Sequence, residues 1–302
     1  MSEAPNSLVK LILDSKALSI WNRKTGPVFW YAAGVPGPFY LNTELMIGRE
    51  LSEQLLDKIT AIVAEIPDLA ARAAQLNTLM MDAYRQNADY KTVIKAMIET
   101  TQAAFPTGTY TAISGGERRD WLFSIPLATE LGIKHIYLFK NQSLFCTEPL
   151  QAGEKTLHVS DLINNAASYF DVWLPALQKA GLKFAGTITV NTRGLAGVKR
   201  MEEAGHKLVA LNRVELPFFQ QSCDSGLIDK DTLDEIAVYF TSPQEWAGRY
   251  LMDRDPALFD IAHLDKKSFE RMKSFFTQDP WDLREKHAAF FDKMLNALHT
   301  SP

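Results

Sequence analysis

The stretch TLHVSDLINNAAS, residues 156–168, decides the reading of the fold. Leu157 and Val159 alternate with polar neighbours as in a buried strand, an acid closes the run at Asp161, and a small polar loop precedes a helix. Asp161 is expected at the strand's carboxyl end, and Asn164, Asn165, Ala166, Ala167 and Ser168 at the turn that opens the helix. Amides at a helix start have no intrahelical partner, and the helix dipole favours an anion there. An acid beside such a cradle suits a ligand with both hydroxyls and a phosphate. The same residues also read as an ordinary βα junction with an Asn or Ser cap.

The neighbouring segments favour a site. Residues 110–114 read as a strand, followed by a Gly-Gly turn and a helix over 122–131. Residues 136–140 form the next expected strand; after a loop comes the strand ending at Asp161, then a helix to about 180. A strand over 183–191, a helix over 197–204 and a strand over 207–211 complete the alternation. Strands and helices alternating with short connections predict an α/β fold, a mainly parallel sheet flanked by helices. Ligands of such sheets bind beyond the carboxyl ends of the strands. Residues 114–120, Lys140, 161–168 and 191–194 all fall at those ends.

Upstream, residues 8–18 read as a short helix, and 26–38 as strands or loops rich in Gly, Pro and aromatics. Residues 45–63 and 66–105 carry helical periodicity, the second run broken near 77–89. From Pro217 the strand signals mostly stop. Helices are expected over 232–239, 243–252, 266–276 and 281–298, punctuated by Pro243, Pro256 and Pro280. The division expected is a sheet domain over 1–216 and a C-terminal helical extension over 217–302.

A chain of 302 residues with 46% hydrophobic and 23% charged residues has the composition of a globular protein with a sizeable core. A net charge of −4 offers no basic field, so nucleic acid is not an expected partner. Cys146 and Cys223 lack metal-ligand spacing and fit a reducing compartment, and the six scattered histidines likewise show no metal-ligand spacing. Lys10, Asp14 and Lys16 interrupt the first apolar run, so neither a secretory signal nor a membrane span is read. A cytoplasmic protein without membrane partners is the expectation.

Four pieces in order carry a resemblance. GPFYLNTELMIGREL (37–51), AISGGERRDWLFSIPLATELGIKHIYLFK (112–140), TLHVSDLINNAAS (156–168) and TITVNTRGLAGVKRMEEAGHKLVAL (187–211) resemble the type I phosphoribosyltransferases, most closely the orotate-specific branch. The likeness covers roughly residues 15–212. It implies that Asp161 and residues 164–168 hold a phosphorylated ribose, and that Ser114, Gly115, Gly116, Arg118, Arg119 and Lys140 hold a diphosphate. It also implies that Phe39, Tyr40 and Arg193 line a base pocket, that Asp161 is a candidate Mg²⁺ contact, and that the protein is a homodimer.

The chain departs from the family pattern where chemistry is concentrated. Two adjacent acids normally grip the ribose hydroxyls; here they are Ser160 and Asp161. The loop after Lys140, NQSLFCTEPLQAGEK, is short and has no histidine, and its central charge is Glu148. The family's N-terminal pocket lysine aligns with Ala32. Losing one charged hydrogen-bond partner costs about 1.5–3 kcal/mol, roughly 10–100-fold in affinity. Losing one donor to developing charge costs about 100–1000-fold in rate. The expected function is therefore binding of a phosphoribosyl ligand, a nucleotide or phosphoribosyl diphosphate, with weak or no transfer. An active transferase with an altered base acceptor and an interaction module with a vestigial pocket are the alternatives.

Overall fold

The computed structural model describes residues 3–22, 24, 26, 28–252, 254 and 259–300, with side chains from residue 7 to 299 among them. Pro27, in the aromatic-rich segment, and Pro256 lie outside the described residues. The chain forms two compact units: Met1–Ala17 with Asn42–Glu215, and Leu18–Leu41 with Leu216–Pro302. The later break falls beside the expected boundary at 216, but residues 18–41 group with the C-terminal helices.

Helix α1 (Glu3–Asp14) precedes two short antiparallel ladders, β1 (Leu18–Ile20) with β4 (Phe39–Leu41) and β2 (Phe29–Trp30) with β3 (Pro36–Gly37). The first unit resumes with α2 (Arg49–Glu65), α3 (Leu69–Gln86) and α4 (Ala88–Ala104). The expected break in the 66–105 run is at Asn87, which ends α3 and caps α4 by accepting the Tyr90 N–H at 2.7 Å.

Six strands follow: β5 (Ala112–Gly116), β6 (Lys134–Leu138), β7 (Leu144–Cys146), β8 (Lys155–Ile163), β9 (Lys183–Arg193) and β10 (Leu208–Val214). Their order is β10-β9-β8-β5-β6-β7, all parallel except β7, which runs antiparallel to β6. Helices α5 (Asp120–Leu131), α6 (Leu174–Lys179) and α7 (Ala196–Glu203) provide the connections. Ile113, Val159, Ile188 and Val190 are wholly buried, as central parallel strands covered on both faces require.

Helix α5 is buried at every position from Asp120 to Ala128, because it packs on β5 and β8 and also against α3 and α4. It contains Pro126, which has no N–H to give the carbonyl four residues earlier. That carbonyl belongs to Leu122, and the buried Tyr90 hydroxyl of α4 donates to it instead. The interruption is thereby satisfied from a neighbouring helix.

The second unit contains α8 (Leu216–Asp224), α9 (Lys230–Thr241), α10 (Pro243–Tyr250), α11 (Lys266–Gln278) and α12 (Arg284–Thr300). Its core joins Trp246, Phe275, Phe276, Phe291 and Met294 to Trp21, Val28 and Trp30. Those three side chains are the physical reason that residues 18–41 belong with the tail: their apolar surface is buried among its helices. No described helix is long and apolar enough to cross a membrane.

Candidate functional site

A cleft of ≈ 360 Å³ opens at the carboxyl ends of β5, β6 and β8. Three chain segments line it: Glu117, Arg118, Arg119 and Asp120 after β5; Lys140 after β6; and residues 160–162 and 164–169, with Trp173, at the end of β8. Of the expected residues, Asp161, Asn164, Asn165, Ala166, Ala167, Ser168, Arg118, Arg119 and Lys140 come together here.

The loop after β8 is pinned from both sides. Strand β8 runs two residues past Asp161, to Ile163, so the acid sits just inside the strand rather than at its last position. Ala166 adopts φ 57°, and the Asn165 carboxamide oxygen accepts the Ala167 N–H at 3.1 Å. The Gly197 N–H donates to the Asn164 carbonyl at 2.8 Å, and a Cβ on Gly197 would meet that carbonyl oxygen at 2.6 Å. The start of α7 can thus press on the loop only because residue 197 is glycine. The helix that follows opens as a π turn over Tyr169–Trp173.

Ser114, Gly115 and Gly116 lie elsewhere than expected. They are buried within β5 rather than in the loop beyond it. Ser114 Oγ bonds His158 Nδ1 at 2.9 Å, and the Gly116 N–H is taken by Asp120 Oδ2 at 3.1 Å. Neither group is directed to a diphosphate. The glycines serve packing: a Cβ on Gly115 would meet Ser124 Oγ at 2.0 Å, and one on Gly116 would meet Trp173 at 2.3 Å.

Phe39 and Tyr40 belong to the second unit. The Phe39 ring is buried there against Phe219 and Phe240, at centroid distances of 5.1 and 5.8 Å. Aromatic packing consumes it, so it offers no open face to a base. Arg193 ends β9, partly buried, and does not line the cleft.

Two residues to which the sequence reading assigned no ligand role organise the centre, Glu44 and Asp120, the latter read only as the end of the stretch 114–120. Asp120 is 7% exposed; its Oδ1 accepts the Asp161 N–H at 3.1 Å, while Oδ2 holds Gly116. Glu44, also 7% exposed, accepts from Arg119 Nε at 2.9 Å. It sits on the buried turn Thr43–Ile47, which Asn191 of β9 anchors by donating to Thr43 Oγ1 at 2.9 Å. Asp120 is four residues after Gly116, a helix-start spacing that reads in sequence as a cap, and Glu44 lies 75 residues from Arg119. Neither position carries a local signal of its partner.

Burial pushes the Asp120 carboxyl up to about 6, against the lowering effect of the two N–H donors and Arg119. Asp161 is raised well above the usual carboxylate range by burial, then by the charges of Asp120 and Glu44. Burial lowers His158 to about 3, so its ring is neutral. The cleft therefore sets Arg118, Arg119 and Lys140 against Glu117, Asp120 and Asp161. Arg118 reaches Thr60 Oγ1 of α2, and Glu117 Oε2 accepts the Lys140 N–H at 3.2 Å, tying the two loops together.

Among solved structures, orotate phosphoribosyltransferase from Francisella tularensis superposes with a TM-score of 0.54 at 12% identity, over 78% of this chain and 98% of that one. The fold is that of the type I phosphoribosyltransferases. The Aeropyrum pernix orotate phosphoribosyltransferase matches 73% of the chain and 99% of its own at 13% identity and a TM-score of 0.49. UMP synthase of Leishmania donovani gives a TM-score of 0.49 and 13% identity over 80% of this chain, which spans only 42% of that longer protein. No family model matches the sequence, and no curated protein does. Identities this low speak for the fold alone.

The segment after Lys140, read as a shortened lid, is partly drawn into the sheet: Leu144, Phe145 and Cys146 pair with Leu138, Tyr137 and Ile136. Neither Phe145 nor Glu148 lines the cleft. Among the described residues no group of three or more His, Cys, Asp or Glu side chains is arranged to hold a metal ion.

Proposed function

We propose that the cleft binds a phosphorylated pentose, as the free sugar phosphate, a nucleotide or phosphoribosyl diphosphate, and that transfer to a base is weak or absent. The observation that carries this reading is the meeting of Asp161, the pinned loop 164–168 and three cationic side chains around one cavity. The loop at a helix start favours a phosphate. The carboxylates accept from hydroxyls. An open cleft with no side chain filling it speaks against a vestigial pocket.

Weak catalysis follows from charge. A leaving diphosphate needs concentrated positive charge, and here Arg119, one of the three cations, is already paired to Glu44. Residues 141–154 contain Glu148 and Glu154 but no lysine, arginine or histidine. Glu154 is held by Lys134 at 2.6 Å, and three residues of the segment are fixed in β7. No cation from that segment is offered to a diphosphate.

Mg²⁺ fits the donor set in the limited way this ion accepts, through one or two carboxylates together with substrate phosphates. Asp161, with Asp120 beside it, would supply those oxygens, and the ion would neutralise diphosphate charge. Pairing as a homodimer, on the resemblance, and localisation in the cytoplasm, on the cysteine and charge pattern, remain part of the proposal.

Calorimetry with phosphoribosyl diphosphate, ribose 5-phosphate and nucleoside monophosphates, with and without Mg²⁺, tests the reading. Saturable binding of at least one is expected. Absence of heat and of any thermal shift with all of them rejects it. Steady pyrophosphate release on adding orotate or another base would assign an active transferase instead.

A further inference from the structure

Position 160 is a serine where the resembled family carries an acid, and the structure gives that serine other work. Ser160 is 2% exposed, and its Oγ accepts the Tyr169 hydroxyl at 2.9 Å. A carboxylate nevertheless stands beside Asp161, contributed by the first residue of α5. We propose that Asp120 replaces the missing strand acid, so that Asp120 and Asp161 together read the vicinal hydroxyls of a phosphorylated pentose. This rests on the reading of the cleft given above.

Three features support the assignment. Asp120 is clamped at the rim of β8 by two main-chain donors, Asp161 N–H on Oδ1 and Gly116 N–H on Oδ2, both at 3.1 Å. An ionised carboxylate has about four acceptor sites, so two of them remain for a ligand after these bonds. Asp120 and Asp161 also stand side by side at the same cleft, since the main-chain N–H of one donates to the carboxylate of the other and both line the cavity. Two neighbouring hydroxyl donors of one ring would satisfy both acids at once.

The third feature is an unpartnered group behind Asp120. His158 is wholly buried, and its Nε2 has no hydrogen-bond partner although it lies 3.5 Å from Asp120 Oδ2. In the tautomer where Ser114 Oγ donates to Nδ1 across their 2.9 Å contact, the ring proton is on Nε2 and faces the carboxylate. A buried donor left just short of its acceptor is costly, and a small shift of Asp120 toward it would close the bond. His158 is in this sense a positioning residue, acting through Asp120. The charged and titratable groups facing the pair are Arg119, Glu44, His158 and Tyr169.

Asp120 cannot be found by the strand motif, because the residue has moved to another element 41 positions away. The substitution keeps the number of acids at the hydroxyls while changing their support. A strand acid is fixed by its own backbone; Asp120 is fixed by amides of two other residues. Hydroxyl recognition would survive at a site whose diphosphate recognition has weakened.

The test compares ribose 5-phosphate with 2-deoxyribose 5-phosphate by calorimetry on the full-length wild type and on Asp120→Asn, each checked for folding by circular dichroism. The wild type is expected to prefer the ribose compound. Asp120→Asn should weaken ribose 5-phosphate about 10–100-fold and largely erase the preference. If the wild type binds neither compound nor phosphoribosyl diphosphate, the reading of the cleft fails. If it binds and Asp120→Asn binds and discriminates equally well, this inference alone fails. Should the variant not fold, a crystal structure of the wild type with ribose 5-phosphate decides. A hydroxyl within about 3.2 Å of an Asp120 oxygen supports the assignment, and hydroxyls beyond that distance overturn it. A requirement for Mg²⁺ before any ribose preference appears would also overturn it, because the acids would then serve the ion.

Discussion

Removing the Tyr90 hydroxyl should unsettle the helix that presents Asp120, and the damage should depend on a proline. Tyr90 is wholly buried, and its hydroxyl donates to the Leu122 carbonyl, the group that Pro126 leaves without an i→i−4 partner. Tyr90→Phe keeps the ring against Tyr84 and Phe123 and strands that carbonyl in a dry interior. A buried polar group deprived of its partner costs about 1–3 kcal/mol. In a unit of this size each kcal/mol moves Tm by about 2–4 °C, so a fall of roughly 2–12 °C is expected. The second arm is Pro126→Ala, which restores an amide at the correct position for Leu122. In that background Tyr90→Phe should cost less than about 0.5 kcal/mol, giving a coupling energy of about 0.5–3 kcal/mol between two residues on different helices. Urea unfolding of the four proteins, followed by far-ultraviolet circular dichroism with the slopes compared, measures the cycle. Equal costs of Tyr90→Phe in both backgrounds would refute the account. So would a Tyr90→Phe protein as stable as the wild type.

Other expectations follow from the cleft. Gly116→Ala would place a Cβ 2.3 Å from Trp173 and 2.7 Å from Asp120 Oδ2, so about 1–3 kcal/mol of overpacking and loss of ligand binding are expected, read by thermal shift and calorimetry. Gly197→Ala, whose Cβ would press on the Asn164 carbonyl, should weaken phosphate-bearing ligands while Tm falls only a few degrees; an unchanged Kd would mean the loop does not hold the phosphate. For pH, the Asp120 carboxyl is 3.8 in its ordinary state and about 6 when folded, so the folded protein binds this proton more tightly. The stability it contributes is present below about pH 4, is lost as pH rises through about 6, and stays lost above. The interval amounts to about 3 kcal/mol at about 1.4 kcal/mol per pH unit. The stability difference between wild type and Asp120→Asn, measured by urea titration from pH 4 to 7, should fall by that order, and a flat difference contradicts the burial argument.

How much of this was legible in the chain depends on the range over which each feature is encoded. The parallel sheet was readable because apolar strands and helices alternate over short spans, and Asp161 with residues 164–168 because strand end, loop and helix start are contiguous. Strand β7 was not, since Leu144–Cys146 has no period of its own and becomes a strand only by pairing with β6. Residues 18–41 were assigned to the sheet domain because sequence order placed them there, whereas Trp21 and Trp30 find their apolar partners more than 200 residues later, at Trp246 and Phe275. The same reasoning covers the Gly-Gly pair. A glycine before a helix reads as a phosphate turn, but its neighbours in space, Ser124 and Trp173, show that close packing is what excludes a side chain. A family motif records which residues were adjacent on one strand, and it registers Ser160 as a loss. The carboxylate itself, on α5, stands where its amide partners put it, so a reading of the motif alone underestimates what the cleft retains for hydroxyls. The proposed weakness toward diphosphate has no such remedy, because residues 141–154 contain no lysine, arginine or histidine for any rearrangement to recruit.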